Sequence, residues 1–274
     1  MLKQNPFEVI ESIENIKNII LVASGKGGVG KSTVSTNLSV ALAREGHAVG
    51  LLDADLYGPS IPLSLGLDGQ YPEVRKVGDK DIMFPLINFG VKVMSLGFLM
   101  SKQDAVIWRG PMVSKALTQL IEDTDWGDLD YLVVDLPPGT GDISITLAQK
   151  LPKSKAIIVI TPQKMATADG RRAANMFQKE GIDIEVLGVV ENMSWFTPEK
   201  HPDEKYYLFG IGGGESLAKE TNTELLAQIP LVSDVCNLGD TGQTVFASTS
   251  NIIVEAFEKL AQNIHEKHAL NALK

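Results

Sequence analysis

The chain has 274 residues, of which 44% are hydrophobic and 22% charged, so it is long enough to bury a substantial core within one large α/β domain. Its 34 acidic and 25 basic residues give a net charge of -9, which disfavours broad binding to the phosphate backbone of nucleic acid. Cys236 is the only cysteine, which excludes a disulfide within the chain and a metal site built from several of its own thiolates. With no leader and no apolar run near the ~20 residues that span a bilayer, we expect a cytoplasmic protein that binds neither membrane nor nucleic acid.

Short apolar runs alternate with helical patterns along the chain, which predicts a doubly wound, mainly parallel sheet flanked by helices. The predicted strands are Ile19 to Ala23, Ala48 to Leu52, Lys92 to Leu96, Tyr131 to Val134, Ala156 to Ile160, Glu185 to Val190 and Leu225 to Ile229. The predicted helices begin near Lys31, Pro111, Asp142, Ala166 and Glu215, and a closing one runs from Asn251 to His265. A hairpin is expected between Tyr71 and Leu86. Residues 1–17 read as an N-terminal arm and residues 18–274 as one domain.

The stretch GKGGVGKS, from Gly25 to Ser32, matches the phosphate-binding pattern G-x-x-x-x-G-K-[ST] between a predicted strand and a predicted helix. Its glycines let successive N–H groups point at phosphates, while Lys31 adds charge at the β- and γ-phosphates and Ser32 is placed to bind Mg²⁺. The expected nucleotide contacts here are Gly25, Lys26, Gly27, Gly28, Val29, Gly30, Lys31, Ser32 and Thr33. The alternative, a glycine-rich turn without a ligand, is disfavoured because all eight residues match in the right context.

Three acidic residues follow or end predicted strands, where the ligand crevice of a doubly wound sheet opens. Asp53 and Asp55 are suitably placed for the water shell of a metal and for orienting an attacking water. Asp135 ends an apolar strand as a Walker B acid does, and Gly139 in the following PPGTG turn can bring a backbone N–H to the γ-phosphate. We expect Ser32, Asp53 and Asp135 to bind magnesium directly or through water. The alternative is that the acids cap helices and form turns.

The base is expected to be adenine, because no N/T-K-x-D segment of the guanine-specific kind follows a late strand. Asn192 ends the stretch EVLGVVEN, and its amide can both donate to and accept from a purine edge. An asparagine that caps a turn is an equally consistent interpretation from spacing alone. Pro230, directly after a late strand, completes the expected nucleotide contacts.

Six stretches together resemble the Mrp/ApbC ATPases, which belong to the deviant Walker A group of P-loop NTPases with MinD, ParA and the nitrogenase iron protein. These stretches are KGGVGKS, DADLYGPS, WRGPM, DLPPGTGD, TPQKMATADGRR and GVVENMSWF. The resemblance runs from about Ile19 to about residue 260. It implies a homodimer with two nucleotides between its subunits, which binds a [4Fe–4S] cluster at the interface and passes it to apoproteins.

The resemblance also implies roles for single residues. Lys26 is expected to reach the nucleotide of the facing subunit, so that Lys26, Lys31 and Asp55 form the catalytic set, with Asp55 positioning the water. Asp135 is the implied Walker B acid and Asn192 the adenine contact. The family often carries a small additional N-terminal domain, and an arm of 17 residues is too short to be one.

The sequence departs from this family after ENMSWF, where relatives that carry a cluster usually have a C-x-x-C pair. The segment TPEKHPDEKYYLFG contains no cysteine, so no iron–sulfur ligand is identified. His201, Asp203 and Glu204 are metal-ligand types, but an exposed polar loop is the better interpretation. Cys236 would add one thiol per subunit, and a buried or incidental cysteine is the better interpretation there.

Two functions follow. The first is a slow ATPase of iron–sulfur cluster assembly or transfer, acting on scaffold or apoprotein partners. The second is a nucleotide-gated binding switch of the ParA/MinD kind without a cluster. The closing helix mixes glutamate with lysine, which disfavours membrane attachment, and its Ile253, Phe257, Leu260 and Ile264 are expected to dock on the sheet.

Overall fold

The computed structural model of the protein describes residues 13–56, 58–99, 110–198, 200–201 and 203–272, which form ten strands and eight α-helices. The strands are β1 Ile16–Ala23, β2 Val49–Asp53, β3 Glu73–Val77, β4 Lys80–Phe84, β5 Leu86–Asn88, β6 Val91–Ser95, β7 Leu129–Asp135, β8 Lys155–Ile160, β9 Glu185–Phe196 and β10 Glu224–Leu231. The helices are α1 Lys31–Arg44, α2 Ile61–Ser64, α3 Gly110–Glu122, α4 Asp142–Lys150, α5 Lys164–Phe177, α6 Gly213–Glu220, α7 Asp234–Asp240 and α8 Asn251–Ala272.

Eight strands form one sheet in the order β10-β9-β8-β1-β7-β2-β6-β5. All neighbouring strands are parallel except β5 and β6, which are antiparallel. Because β7 and β8 lie on opposite sides of β1, the winding of the chain reverses there, and a crevice opens beyond the carboxyl end of β1. The predicted doubly wound, mainly parallel fold is confirmed.

The central strands are apolar along their length because helices cover both faces of the sheet. Ile20, Leu21 and Val22 of β1 are fully buried, as are Val133 and Val134 of β7. A strand buried on both faces has no solvent side on which polar residues would alternate. The same stretches were therefore recognisable as strands from uninterrupted apolar runs.

The closing helix α8 packs on β10 and α1. Its Ile253, Phe257, Leu260 and Ile264 recur at intervals of three and four residues and are all buried, which confirms the predicted docking on the sheet. The helix extends to Ala272, beyond the predicted end.

Some element boundaries differ from the prediction. The strand β1 begins at Ile16, so the last two residues of the predicted arm belong to the sheet, and residues 1–12 lie outside the described residues. The strand β9 continues to Phe196, whereas the prediction ended it at Val190. The prediction stopped early because the second half, ENMSWF, mixes polar and apolar residues and does not form an apolar run.

The predicted hairpin is present as β3 and β4, joined by a tight turn in which Gly78 has a φ of 63°. Three short elements were not predicted, namely α2, β5 and α7. They have four, three and seven residues, which is too short for a periodic pattern to identify them.

Candidate functional site

The glycine-rich segment from Gly25 to Ser32 connects β1 to α1 at the carboxyl edge of the sheet. Gly28 and Gly30 have φ values of 81° and 80°, in the left-handed region that other residues rarely adopt. Gly30 is the N-cap of α1 and has no side chain to occupy the first N–H groups of the helix. The positive end of α1 is therefore available to an anion, as a phosphate-binding loop requires.

The loop borders a cavity of about 230 Å³, which we call the phosphate cavity because the predicted phosphate-binding loop lines it. Seven of the predicted nucleotide contacts line this cavity, namely Lys26, Gly27, Gly28, Gly30, Lys31, Ser32 and Thr33. Asp55, in the connection after β2, and Pro138, in the connection after β7, also line it. The loop residues and Asp55, predicted from two separate parts of the chain, are thus brought to one place, and Pro138 precedes the predicted Gly139.

Two of the loop glycines are packed too closely against neighbouring elements to be replaced. A Cβ atom on Gly25 would lie 2.0 Å from the backbone carbonyl of Asp169 in α5, and one on Gly30 would lie 2.2 Å from the Asn192 amide nitrogen. A Cβ atom on Gly27 would meet no atom within 4 Å. The loop backbone is therefore held in its curled form by the Asp169 backbone of α5 at Gly25 and by the Asn192 side chain of β9 at Gly30.

A buried cluster of Lys31, Ser32, Ser35 and Asp135 lies beneath the loop. The Lys31 ammonium is 2.7 Å from Asp135 Oδ2, and the Ser32 hydroxyl donates to the same oxygen at 2.7 Å. The Ser35 hydroxyl, one helical turn further along α1, donates to Asp135 Oδ1 at 2.5 Å. The carboxylate that ends β7 is thereby joined to the P-loop lysine and to the serine predicted to bind magnesium.

Asp53 ends the neighbouring strand β2 and is fully buried. Its Oδ2 accepts a hydrogen bond from the Ser95 hydroxyl at 2.9 Å, and its Oδ1 accepts one from the Asp55 N–H at 3.1 Å. Burial, reinforced by the nearby Asp135 charge, raises the pKa of Asp53 to about 8. The buried site therefore favours the protonated form of this carboxyl group more than water does.

Asp55 and Lys26 both line the cavity beside the loop. Asp55 Oδ2 is 3.7 Å from the Lys31 ammonium, which places the predicted water-positioning acid beside the predicted phosphate-binding lysine. Lys26 is half-buried, and its backbone carbonyl accepts a hydrogen bond from the Ser24 hydroxyl at 3.0 Å. Within the described part of the chain, the Lys26 ammonium forms no ion pair, in contrast to Lys31.

Gly139 lies in the turn after β7 and has a φ of 88°. Its N–H donates to the Ser24 carbonyl at 2.8 Å, which ties the turn to the start of the P-loop. The predicted contact of this N–H with a phosphate therefore requires the hydrogen bond to Ser24 to open.

A second cavity, of about 350 Å³, adjoins the phosphate cavity through Ser32 and Thr33. Asn192 and Pro230, the two predicted contacts from late strands, both line it. The Asn192 amide donates to the Val29 carbonyl at 2.9 Å, so it also fixes the P-loop. The remaining wall is largely apolar, which suits the faces of a base.

Some predicted residues fall elsewhere. Tyr57, Trp108 and Arg109, which belong to the motifs DADLYGPS and WRGPM, lie outside the described residues. His201 and Glu204 are exposed and pair with each other at 3.2 Å, and in the described ranges no group of three or more histidine, cysteine, aspartate or glutamate side chains is placed to hold a metal ion. Cys236 is exposed and lines the cavity of about 350 Å³, so of the two alternatives, a buried or an incidental cysteine, the buried one is wrong.

Two residues of the site were not singled out from the sequence. Ser35 follows Lys31 by one helical turn, a spacing that places both side chains on one face of α1 and was therefore a usable signal. Ser95 meets Asp53 because β6 pairs in register with β2, and nothing in the sequence alone gives that register.

None of the described helices is both long enough and apolar enough to cross a membrane.

A family model described as "NUBPL iron-transfer P-loop NTPase" matches residues 15–265 of the chain. Among curated proteins, the iron-sulfur cluster carrier protein of Synechocystis sp. is 47% identical over 96% of this chain and 74% of its own length. The iron-sulfur cluster carrier protein of Pseudomonas fragi is 48% identical over 92% of this chain and 86% of its own length.

Two solved structures share the fold of this chain. A nucleotide-binding protein from Archaeoglobus fulgidus, in complex with ADP, superimposes with a TM-score of 0.77 at 36% identity and covers 93% of this chain and 98% of its own. The cell division ATPase MinD from Pyrococcus furiosus shares the fold, with a TM-score of 0.67 at 24% identity over 92% of this chain and 99% of its own. The family model matches most of the chain, and the lysine and serine of the loop contact a buried carboxylate at the end of β7, so the chain belongs to the NUBPL iron-transfer P-loop NTPase family.

Proposed function

We propose that the protein binds ATP, hydrolyses it slowly and uses this cycle to transfer iron–sulfur clusters as a homodimer with two nucleotides between its subunits. The observation that carries the proposal is the buried contact of Lys31 and Ser32 with Asp135, on a chain nearly half identical to proteins named iron-sulfur cluster carriers. The contact supports nucleotide chemistry, and the relatives support the cargo.

Phosphate binding rests on the loop and on Lys31. The N–H groups of the glycine run and the N-terminal end of α1 attract the phosphates, and the Lys31 ammonium lies at the cavity wall where β- and γ-phosphates would meet it. Movement of Lys31 from Asp135 to a phosphate exchanges one anionic partner for another, so the ammonium does not lose its compensating charge.

The donors beneath the loop fit magnesium. The Ser32 hydroxyl and the carboxylates of Asp135 and Asp53 are hard oxygen ligands, and Mg²⁺ in nucleotide sites uses few protein ligands together with phosphate oxygens and water. When bound, the ion neutralises charge that develops on the phosphates. The high pKa of Asp53 fits a role in which this group ionises only beside a cation.

Hydrolysis requires a positioned water, and we assign its positioning to Asp55. Asp55 reaches the phosphate cavity from the connection after β2, close to Lys31. Lys26 lacks an ion-pair partner among the described residues and lines the same cavity, which fits a role in reaching the nucleotide of a facing subunit. Because such a site is complete only in the dimer, we expect the isolated chain to hydrolyse ATP slowly.

The base site is the cavity of about 350 Å³ that Asn192 and Pro230 line. The Asn192 amide donates one hydrogen to Val29, which leaves its oxygen and its second N–H for a purine edge. This donor and acceptor pair fits adenine, which presents both functions on its edge.

The cluster is cargo, and the chain alone offers few ligands for it. Cys236 is the only thiol, so a dimer supplies at most two thiolates. A [4Fe–4S] cluster is normally held by four. We therefore assign a labile cluster at the dimer interface, with further ligands supplied by scaffold proteins or apoprotein clients.

Calorimetric titration with Mg-ATP and Mg-GTP, followed by phosphate-release assays, tests the nucleotide part. Preference for ATP and slow release of phosphate are expected. Equal affinity for both nucleotides would contradict the assignment of the base site.

The alternative is a nucleotide-gated binding switch without a cluster, which the single cysteine favours. Co-sedimentation with liposomes and with DNA, with and without ATP, separates the two. ATP-dependent binding to either surface would support the switch.

A further inference from the structure

The three side chains that contact the buried Asp135 carboxylate divide between its two oxygens. Oδ2 accepts from the Ser32 hydroxyl and lies 2.7 Å from the Lys31 ammonium, whereas Oδ1 accepts from the Ser35 hydroxyl at 2.5 Å. Both groups on Oδ2 belong to the proposed site, Lys31 for the phosphates and Ser32 for the magnesium ion. They are therefore expected to leave the carboxylate when the nucleotide and the ion bind.

Ser35 is placed differently from these two residues. It is fully buried in the second turn of α1, and it lines neither the phosphate cavity nor the cavity of about 350 Å³. A nucleotide held in these cavities has no contact with the Ser35 hydroxyl. The hydrogen bond to Oδ1 can therefore persist after Lys31 and Ser32 have moved to their ligands.

A second serine, one turn further along α1, shows what a purely structural hydroxyl does in this helix. Ser39 is also fully buried, and its hydroxyl donates to the Ser35 carbonyl, four residues back, at 2.8 Å. The equivalent distance from the Ser35 hydroxyl to the Lys31 carbonyl is 3.1 Å, longer than the 2.5 Å to Asp135. A hydroxyl has one proton, and hydrogen bonds to a carboxylate are the shorter and stronger kind, so the Ser35 proton is directed at Asp135.

We infer that Ser35 is a positioning residue, which holds Asp135 in the orientation that receives the magnesium ion of the nucleotide complex. Ser35 keeps Oδ1 against α1, so that Oδ2 stays directed at the place from which Lys31 and Ser32 depart. Without this donor the side chain would be free to turn before the ion arrives, and ordering it again would lower the affinity for the ion.

Hydrogen-bond partners of metal ligands commonly contribute roughly 10–100-fold to metal affinity. Ser35 is a partner of this kind, because it acts on the ion only through the carboxylate of Asp135. The inference rests on the proposed magnesium site and adds the residue that orients it.

The test is the factor by which Mg²⁺ tightens the binding of ADP, measured by calorimetric titration of the full chain in Mg²⁺ and in EDTA. Ser35→Ala should reduce this factor at least about fivefold and change the affinity in EDTA by less than about twofold, because Ser35 acts on the metal site and not on the phosphates. Ser39→Ala is the matched control, since it removes a buried hydroxyl that donates to a backbone carbonyl, and it should keep the wild-type factor.

Ser35→Cys is a second variant, which keeps a small side chain and replaces the hydroxyl by a weak donor, so it should also lose most of the factor. An unchanged factor in both variants would overturn the inference. Equal losses of affinity in Mg²⁺ and in EDTA would also overturn it, because the hydroxyl would then only stabilise the loop. A wild-type chain that binds ADP equally well in both conditions would contradict the proposed magnesium site itself, and the role of Ser35 with it.

Discussion

The Lys31 ammonium and the Asp135 carboxylate form a buried ion pair, with 2.7 Å between Nζ and Oδ2, although they are 104 residues apart in the chain. The pair joins the P-loop to the end of β7 and gives each buried charge its partner. The same two groups are those expected to meet a phosphate and a magnesium ion. The pair is therefore a structural contact between two groups that are proposed to bind the nucleotide and its metal ion.

Lys31→Ala should abolish nucleotide binding and also lower the free energy of unfolding by about 3 kcal/mol, because Asp135 would keep a buried charge without its partner. Calorimetric titration and urea denaturation measure the two effects. Lys26→Ala is the matched change in the same loop, and it should spare binding while reducing hydrolysis and nucleotide-dependent dimer formation. Unchanged nucleotide affinity in Lys31→Ala would show that the loop is not the site.

Asp55→Ala should leave nucleotide affinity largely intact and lower turnover, because Asp55 borders the phosphate cavity without belonging to the glycine run. Single-turnover hydrolysis and ATP titration measure the two separately. Asp55→Asn keeps the shape of the side chain and should show the same loss of turnover. Equal losses of affinity and turnover would argue against a role in positioning water.

Gly25→Ala should destabilise the protein by roughly 2 kcal/mol or more, because its Cβ would overlap the Asp169 backbone at 2.0 Å and backbone cannot move aside cheaply. Gly27→Ala should change the free energy of unfolding by less than about 0.5 kcal/mol, since nothing lies within 4 Å of its Cβ. Urea denaturation without nucleotide compares the two. Similar stability of both variants would contradict the close packing of α5 on the loop.

His268 should make stability depend on pH below neutrality. Burial, reinforced by the Lys155 and His265 charges and opposed by Glu185, lowers the pKa of His268 from 6.5 to about 4, and Tyr131 packs against its ring. The unfolded chain therefore takes up a proton at this side chain before the folded protein does, so its contribution is complete above pH 6.5 and is lost as pH falls through 4.

The size of this contribution is of the order of 2 kcal/mol. Urea denaturation between pH 7 and 4 should show a flatter profile for His268→Leu than for the wild type. His201→Gln removes an exposed histidine and should leave the profile unchanged. A wild-type slope in His268→Leu would assign the pH dependence to other groups.

The sequence predicted most of the sheet and most of the residues that line the cavity of about 230 Å³, because both depend on local patterns. Central strands such as β1 are uninterrupted apolar runs, and the P-loop is a contiguous motif. The contact of Ser95 with Asp53 depends on the pairing of β6 with β2, which is a long-range property. The length of β9 was not predicted for a related reason. Its second half mixes polar and apolar residues, and it is in the sheet because it pairs with β10.

The segment Tyr206–Ile211, in the connection after β9, shows the opposite limit. YYLFGI has the composition of a buried strand, and only the structure shows that four of its side chains face outward at the edge that carries the P-loop. Exposure of apolar residues is a property of the fold, so composition alone could not separate this surface from the core.

The most direct test of the proposed function is anaerobic reconstitution of the dimer with iron and sulfide in the presence of Mg-ATP, followed by transfer to an apoprotein that needs a [4Fe–4S] cluster. A cluster carrier should show visible absorbance, about four iron and four sulfide per dimer, and loss of both from the carrier as the acceptor gains activity. A colourless protein that leaves the acceptor inactive would contradict the proposed function.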